Sequence, residues 1–509
     1  MHLVLFERIK ILQNLIKMTV KKQKILISLI ILIFFIIGSV IIIVNPIFEG
    51  PDASAHFAYI LFVIKNHKIP KFIEWREDTE NYIKENLPEK VGKNYLFIID
   101  NQYAFAYAGT ATMSYNSLAH NPITYYALSA IIIGKLIDMK TYENLHVNKG
   151  EGYNSYYYLE NSDGTIFPID SRIFYSNSKI FYPVYLLKFI QLIFGMLIVF
   201  FIFKILKLLL KENFNQYTII LASGICLLPA LIFLSTHTNN SVLSILFSLI
   251  SVYFLIILSE NYNLKSGIFA IVFAFLSFIT KFSNISILVV SIIFFLYWLL
   301  KQKKRKIFAV FIATFIFLFA VFLITFYFKG GETFKYFMKY AFISKITGSF
   351  IYFTKLFSKE YFLEFIPKLA ITSIASFDIN HVIADKFVYY FYYSYIFIGI
   401  ILFTINLKKM RNKLSTFIII YSIIIITFVV LSLYAASKSF TGWGGRLVMP
   451  AFILTFILSI IGYNNIDNKL SKFLFPSIFI YIILVNLFNI YQYIYLFFYK
   501  NITINFILY

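Results

Sequence analysis

Lys21-Lys22-Gln23-Lys24 leads into a nearly unbroken apolar run, Ile25 to Val44, which ends in Asn45-Pro46-Ile47-Phe48-Glu49-Gly50-Pro51-Asp52-Ala53-Ser54-Ala55-His56-Phe57. A bilayer-crossing helix needs about 20 apolar residues, so the run reads as a membrane span. Pro46 and Pro51 end helical continuation, because proline lacks an N–H and restricts the residue before it. Asp52 and His56 then follow four residues apart, and a helix from Ala53 to Lys65 places them on one face. Phe57, Ile60, Leu61 and Ile64 keep helical spacing, which predicts a helix lying along the bilayer surface.

Outward from this corner the composition decides the class. Of 509 residues 60% are hydrophobic and 14% charged, against about a quarter charged in a soluble domain. The chain is expected to be an all-α polytopic membrane protein with about 11–13 transmembrane helices and a large first outer loop carrying juxtamembrane helices. The net charge of +22 gathers beside apolar runs, as in Lys301-Gln302-Lys303-Lys304-Arg305-Lys306 and Lys408-Lys409-Met410-Arg411-Asn412-Lys413. That pattern marks the cytoplasmic side and places the N-terminus there. No basic module with interleaved aromatics accompanies it, so nucleic acid is not an expected partner. Cys226 is the single cysteine, which excludes a disulfide framework. The phosphate-cradling glycine loop, the zinc-protease motif and the serine-triad signature are all missing from the sequence.

Hydropathy and charge divide the single membrane domain, 1–509, into an outer assembly at 46–183, helix bundles at 184–327 and 386–492, and a second outer loop at 329–385. Predicted spans after the first fall near 184–203, 217–235, 241–258, 267–280, 285–300, 307–327, 386–405, 415–434, 447–463 and 473–492. Charge parity is kept most simply if 121–137 is re-entrant or interfacial, which is permitted where protein covers it. Asp52, the turn 235–240, the break at Thr280-Lys281-Phe282-Ser283-Asn284 and Lys438 to Arg446 then share the outer side.

These landmarks, Asn45-Pro46, Pro51-Asp52, His56-Phe57, His120-Asn121-Pro122 with Tyr125-Tyr126, Thr280-Lys281-Phe282-Ser283 and Gly445-Arg446 with Pro450, resemble multi-spanning glycosyltransferases of the GT-C fold. They are most similar to a family of predicted membrane proteins with an Asn-Pro…Pro-Asp-Glu-x-x-His-Phe opening. The resemblance implies a membrane enzyme that moves a sugar from a polyprenyl-phosphate donor to an extracytoplasmic glycan, lipid or protein acceptor, among membrane lipids. Two positions depart from that pattern: Ala53 stands where the family has Glu, and Ser241 where it has Asp. A divalent cation is therefore left open; Asp378, His381 and Asp385 have a spacing that gathers them on one helix face as weak ligands, or they belong to a solvated loop before the next span.

Each residue has a plain reading beside the chemical one. Asp52 is the expected base for the acceptor hydroxyl, or an N-cap of the following helix. His56 orients that acid or contacts phosphate, or is an ordinary interfacial histidine. Lys281 interrupts apolar sequence and is expected to meet the donor phosphate, or snorkels from a span end. Arg446, behind Gly442-Trp443-Gly444-Gly445, offers two-point phosphate geometry, or anchors a flexible loop. His120 and Asn121 shape a pocket wall or punctuate the chain. His237, Asn239 and Asn240 bind sugar hydroxyls or form a polar turn. The rival functions are a transporter or flippase of lipid-linked precursors and an inactive relative that assists assembly.

Overall fold

The computed structural model describes residues 2–44, 53–70, 94–99, 104–108, 121–140, 147–148, 158–160, 166–168, 178–261, 263–303, 357–359, 361–377, 382–383, 386–407, 414–437, 445–464, 477–478, 480–485 and 487–488. Its helices are α1 (His2–Val44), α2 (Ala53–Asn66), α3 (Thr124–Ile133), α4 (Ser178–Leu210), α5 (Gln216–Cys226), α6 (Pro229–Leu234) and α7 (Ser241–Asn261). They continue as α8 (Leu264–Thr280), α9 (Ile285–Lys301), α10 (Ile366–Ile374), α11 (Lys386–Asn406), α12 (Leu414–Ser437) and α13 (Met449–Tyr463). Among the described residues six helices are long and apolar enough to cross a membrane: Lys21–Ile43, Tyr182–Asn213, Ser241–Glu260, Phe282–Lys301, Lys386–Asn406 and Ser415–Ser432. Four shorter apolar helices accompany them, Thr124–Leu136, Gln216–Cys226, Leu264–Thr280 and Met449–Tyr463. The protein is a helical, polytopic membrane protein. The predicted span 307–327 lies outside the described residues, as does half of 473–492.

Local chemistry places the helix ends. Asn215 accepts from Thr218 N at 3.1 Å and opens α5; Asn263 accepts from Lys265 N at 3.0 Å and opens α8. The predicted span 217–235 is two helices, since Pro229 begins α6 at a position where a missing N–H is harmless. On α1 the exposed residues Ile25, Leu29, Leu32, Ile36, Val40 and Ile43 form one stripe, and Ile30, Phe34, Ile37 and Ile41 on the other side are buried. Apolar on both sides, this helix suits lipid outside and protein inside.

Contacts between helices fix two ends of the bundle. A Cβ built on Gly38 would strike the Leu192 side chain, and one on Gly195 would strike the side chain of Phe34. α1 and α4 therefore run antiparallel, and the chain leaves α1 and enters α4 at the same end. At the other end Gln23 Nε2 donates to Phe214 O at 3.0 Å, Lys211 pairs with Glu260 at 3.4 Å, and Thr218 donates to Asn464 Oδ1 at 2.9 Å. That end carries Lys21, Lys22, Lys24, Lys207, Lys211, Lys265 and Lys301. The opposite end collects the start of α7, the end of α8, the start of α9 and the start of α13.

Seven short strands lie among the described residues, all outside the spans. β1 (Asn94–Ile99), β2 (Ala104–Ala108) and β3 (Val147–Asn148) form one antiparallel sheet in the order β2-β1-β3, with Tyr95 opposite Ala108. The pairs β4 (Tyr158–Glu160) with β5 (Ile166–Pro168) and β6 (Ser376–Phe377) with β7 (Val382–Ile383) are antiparallel hairpins. α2 packs against α3, β1 and β2. This corrects the expectation of a surface helix: residues Ala55 to Val63 are all buried, so α2 has no polar face for a headgroup layer. Its partners are protein, and its apolar spacing serves a core.

Candidate functional site

The turn Ser235-Thr236-His237-Thr238-Asn239-Asn240 joins α6 to α7, and all six residues are at most 3% exposed. Hydroxyl groups end α6 from its own carbonyls: Ser235 Oγ donates to Leu231 O at 2.7 Å and Thr236 Oγ1 to Phe233 O at 2.8 Å. Asn239 then works on both helices. Its Nδ2 donates to Leu234 O at 2.8 Å and His237 O at 2.9 Å. Its Oδ1 accepts from Ser241 N at 2.9 Å and Val242 N at 3.3 Å, capping α7. Asn240 Nδ2 donates to Thr280 O at 3.2 Å, holding the end of α8 beside the turn. The side chains of Asn239 and Asn240, expected as sugar ligands or as a turn, thus frame the turn itself.

Lys281 stands where α8 breaks, in extended backbone with φ −155° and ψ 115°. Its side chain is buried, at 8% exposed, and Nζ donates to Ser241 Oγ at 2.6 Å. Asn284 secures the break by donating to Ser248 Oγ at 3.2 Å and Ser277 Oγ at 2.9 Å. This ammonium does not snorkel to the surface; it is directed into the bundle end against the first residue of α7.

Two further walls complete the region. Thr124 Oγ1 donates to Ile279 O at 2.6 Å, tying α3 to the last turn of α8. Tyr126 stacks on Tyr59 with centroids 3.7 Å apart, and its hydroxyl lies 2.9 Å from His56 Nδ1. Tyr59 Oη donates to Asn121 O at 3.4 Å. His56 is therefore buried among tyrosines of α2 and α3, not set at an open interface. On α4, Gln191 Nε2 donates to Asn239 O at 2.7 Å. The Tyr125 hydroxyl lies beside Gln191, Ser129 and the Asn239 backbone without reaching hydrogen-bond geometry to any of them.

Lys188, one turn before Gln191, is a site residue that the sequence reading passes over. It is 0% exposed, and its Nζ lies 5.6 Å from the Tyr185 ring centroid. The argument that singles out Lys281, a cation interrupting apolar sequence, applies to it equally. Its charge also reaches His237. Burial first, then the Lys188 charge, pushes the His237 imidazole down to about 3, against the opposing pull of the Phe233 carbonyl. Nδ1 lies 2.5 Å from that carbonyl, which can only accept, so the proton sits on Nδ1.

A pH dependence follows. An unfolded histidine takes its proton near 6.5, whereas His237 in the fold takes it near 3. Between those values the unfolded chain binds the extra proton, so stability is full above about 6.5 and is lost as the pH falls toward 3. Thermal unfolding of the detergent-solubilised protein is expected to shift down over that window, with a shallower slope in His237→Gln. Equal slopes in the two proteins would show that His237 is not the group responsible.

Arg446 is half-buried in the turn Gly445–Leu447 that leads into α13. Gly445 N donates to Thr372 Oγ1 at 2.6 Å, and α10, which carries Thr372, packs against α6. Arg446 is therefore at the same end of the bundle as Lys281, Ser241 and the 235–240 turn. Asp52, His120, Asp378, His381 and Asp385 lie outside the described residues. Among the described residues no group of three or more His, Cys, Asp or Glu gathers in metal-binding proximity. No protein-family model matches the chain, and no curated protein matches it.

Proposed function

We propose that the protein is a membrane glycosyltransferase that uses a polyprenyl-phosphate-linked sugar. The observation that carries this reading is the buried Lys281 ammonium, fixed at a helix break against Ser241 at 2.6 Å and at the end of the bundle remote from the lysine-rich end. Buried intramembrane cations are expensive and typically mark a substrate path, and a lipid phosphate is the anion that a membrane enzyme meets at this level. Arg446, arriving at the same end from the start of α13, supplies a guanidinium suited to phosphate oxygens. With the lysine-rich end cytoplasmic, the site faces outward.

In this proposal Asp52, directly before the first residue of α2, accepts the proton of the acceptor hydroxyl, and His56, four residues on, orients that acid. Lys281 and Arg446 stabilise charge that develops on the leaving phosphate. Ser241, where the family pattern has Asp, leaves a neutral hydroxyl next to Lys281. The second reading, a transporter of lipid-linked precursors, has one specific observation in its favour: the fully buried Lys188 lies within the span Tyr182–Asn213, as in helices that line a path.

The test is label transfer. Membranes containing the protein, given radiolabelled polyprenyl-phosphate sugars, are expected to pass the label to an acceptor, and Asp52→Asn to lose that transfer. Full transfer by the variant removes Asp52 from the chemistry. Movement of intact donor across vesicles without transfer would replace the enzyme reading by the transporter.

A further inference from the structure

Residues 361–374 fall in the stretch that reads from sequence as a second outer loop, yet they form one helical segment. Tyr361–Phe365 is a turn of π-helix that runs on into α10. Ser358 Oγ accepts from Tyr361 N at 3.2 Å and opens it. The segment has three unlike sides. Phe365, Leu369, Thr372 and Ser373 recur at helical spacing and are buried. They face protein: α10 packs against α6 and α11, and a Cβ built on Gly445 would strike the Ser373 backbone. Phe362, Leu363, Ile366 and Pro367 form a second, apolar side that is exposed, Leu363 by 61% and Phe362 by 55%. Glu364 and Lys368, four residues apart, make a third, charged edge.

The height of this segment follows from α12. Near its start Thr416 shares a hydrogen bond of 2.9 Å with Ser259, beside the lysine-rich end. Further on, Thr427 shares one of 2.6 Å with Ser286, at the start of α9 and so toward the opposite end. The apolar span of α12 stops at Ser432, and there the Tyr361 hydroxyl meets Ser432 Oγ at 2.9 Å. Ile418, Ile425, Phe428 and Val429 are the exposed apolar stripe of α12, which ends one helical turn before Ser432. Phe362 and Leu363, next in the chain to Tyr361, carry that apolar surface on past the point where the span ends. We propose that 361–374 is an interfacial helix seated in the outer leaflet, with Phe362, Leu363, Ile366 and Pro367 among lipid acyl chains. Glu364 and Lys368 then lie at the headgroups, and the buried side holds the bundle, so each side meets the medium that suits it. Continuity with the stripe of a spanning helix selects lipid as the occupant, and a lysine-rich end in the cytoplasm makes the leaflet the outer one. Thr372 Oγ1 accepts from Gly445 N at 2.6 Å, so this seat sets the height of the turn that carries Arg446. The seat stands whether or not the protein transfers sugar.

The experiment uses the full-length protein in phospholipid nanodiscs, with a nitroxide attached to one introduced cysteine at a time: Leu363→Cys, Glu364→Cys or Ile366→Cys. The native Cys226 is buried and is not expected to take the label. All three native side chains are exposed, so the variants are expected to fold. Collisions are counted with molecular oxygen, which concentrates in hydrocarbon, and with a nickel chelate, which stays in water. Oxygen should dominate at 363 and 366 and the chelate at 364, with the ratio of the two changing several-fold between the neighbours 363 and 364. Chelate collisions prevailing at all three positions would show a segment standing in water. Weak collisions with both reagents at 363 and 366 would show that protein covers the apolar side, whether a second copy or another part of this chain. Oxygen prevailing at 364 as well would show a segment sunk wholly in the hydrocarbon. Each of these three outcomes overturns the interfacial seat.

Discussion

Lys281→Met is expected to lower the proposed sugar transfer by about 100- to 1000-fold, the range for removing one preorganised group that faces developing charge. Methionine fills much of the same volume without the ammonium, so the variant separates charge from packing. Two effects on stability oppose each other. The hydroxyl of Ser241 loses the donor that reaches it at 2.6 Å, which costs about 1–3 kcal/mol. Acting the other way, a buried charge no longer has to be kept away from water. The unfolding temperature should therefore move little while transfer collapses. A large fall in stability with proportionate loss of activity would show that the ammonium is there to hold the helix break. Transfer at the wild-type level would remove Lys281 from the proposed mechanism.

Gly462→Val should abolish the packing of α13 on α11, with a destabilisation on the order of 4 kcal/mol or more. A Cβ at position 462 would lie 2.0 Å from Gly399 O and 2.7 Å from Phe403 N, and both of these atoms are backbone. Side chains could turn aside; main chain cannot, so the two helices must separate. Close approach through small residues is how helices associate where lipid supplies no hydrophobic drive. Separation would also break the bond from Ser459 Oγ to Ile396 O at 3.0 Å and that from Tyr463 Oη to Tyr395 O at 3.0 Å. The stack of Tyr395 on Tyr463, 4.8 Å between centroids, would open with them. Yield and unfolding temperature of the purified variant measure the effect. A variant as stable as wild type would mean that these helices do not touch at that crossing.

Some of the site was legible before any fold was known. Lys281 announces itself as a cation in apolar sequence, and Arg446 as a cation behind a glycine-rich turn at a span start. The same signal stands at Lys188, but a single lysine near the start of the predicted span 184–203 is indistinguishable in sequence from a snorkelling anchor. α2 was misplaced for a related reason. Its apolar spacing looks identical whether the remaining positions face lipid headgroups or another protein segment, and here they face α3 and a small sheet. Asn239 could not be assigned from sequence either, since a polar turn and a sugar-binding turn use the same residue types. Only the bonds to Ser241 N, Leu234 O and the Gln191 amide show that its groups are already committed.

Composition and the placement of lysines by themselves settle that the chain is a helical membrane protein with one basic end. That follows because the bilayer forces every spanning segment to satisfy its own backbone and exclude charge, a demand written locally along the chain. Which polar residues meet is decided by tertiary structure alone. Gln191 and Asn239, and likewise Lys281 and Ser241, are far apart in sequence, and only the packing of α4, α7 and α8 at one end brings them within reach. Hydrogen bonding acts over about 3 Å, so its partners are set by where helices cross.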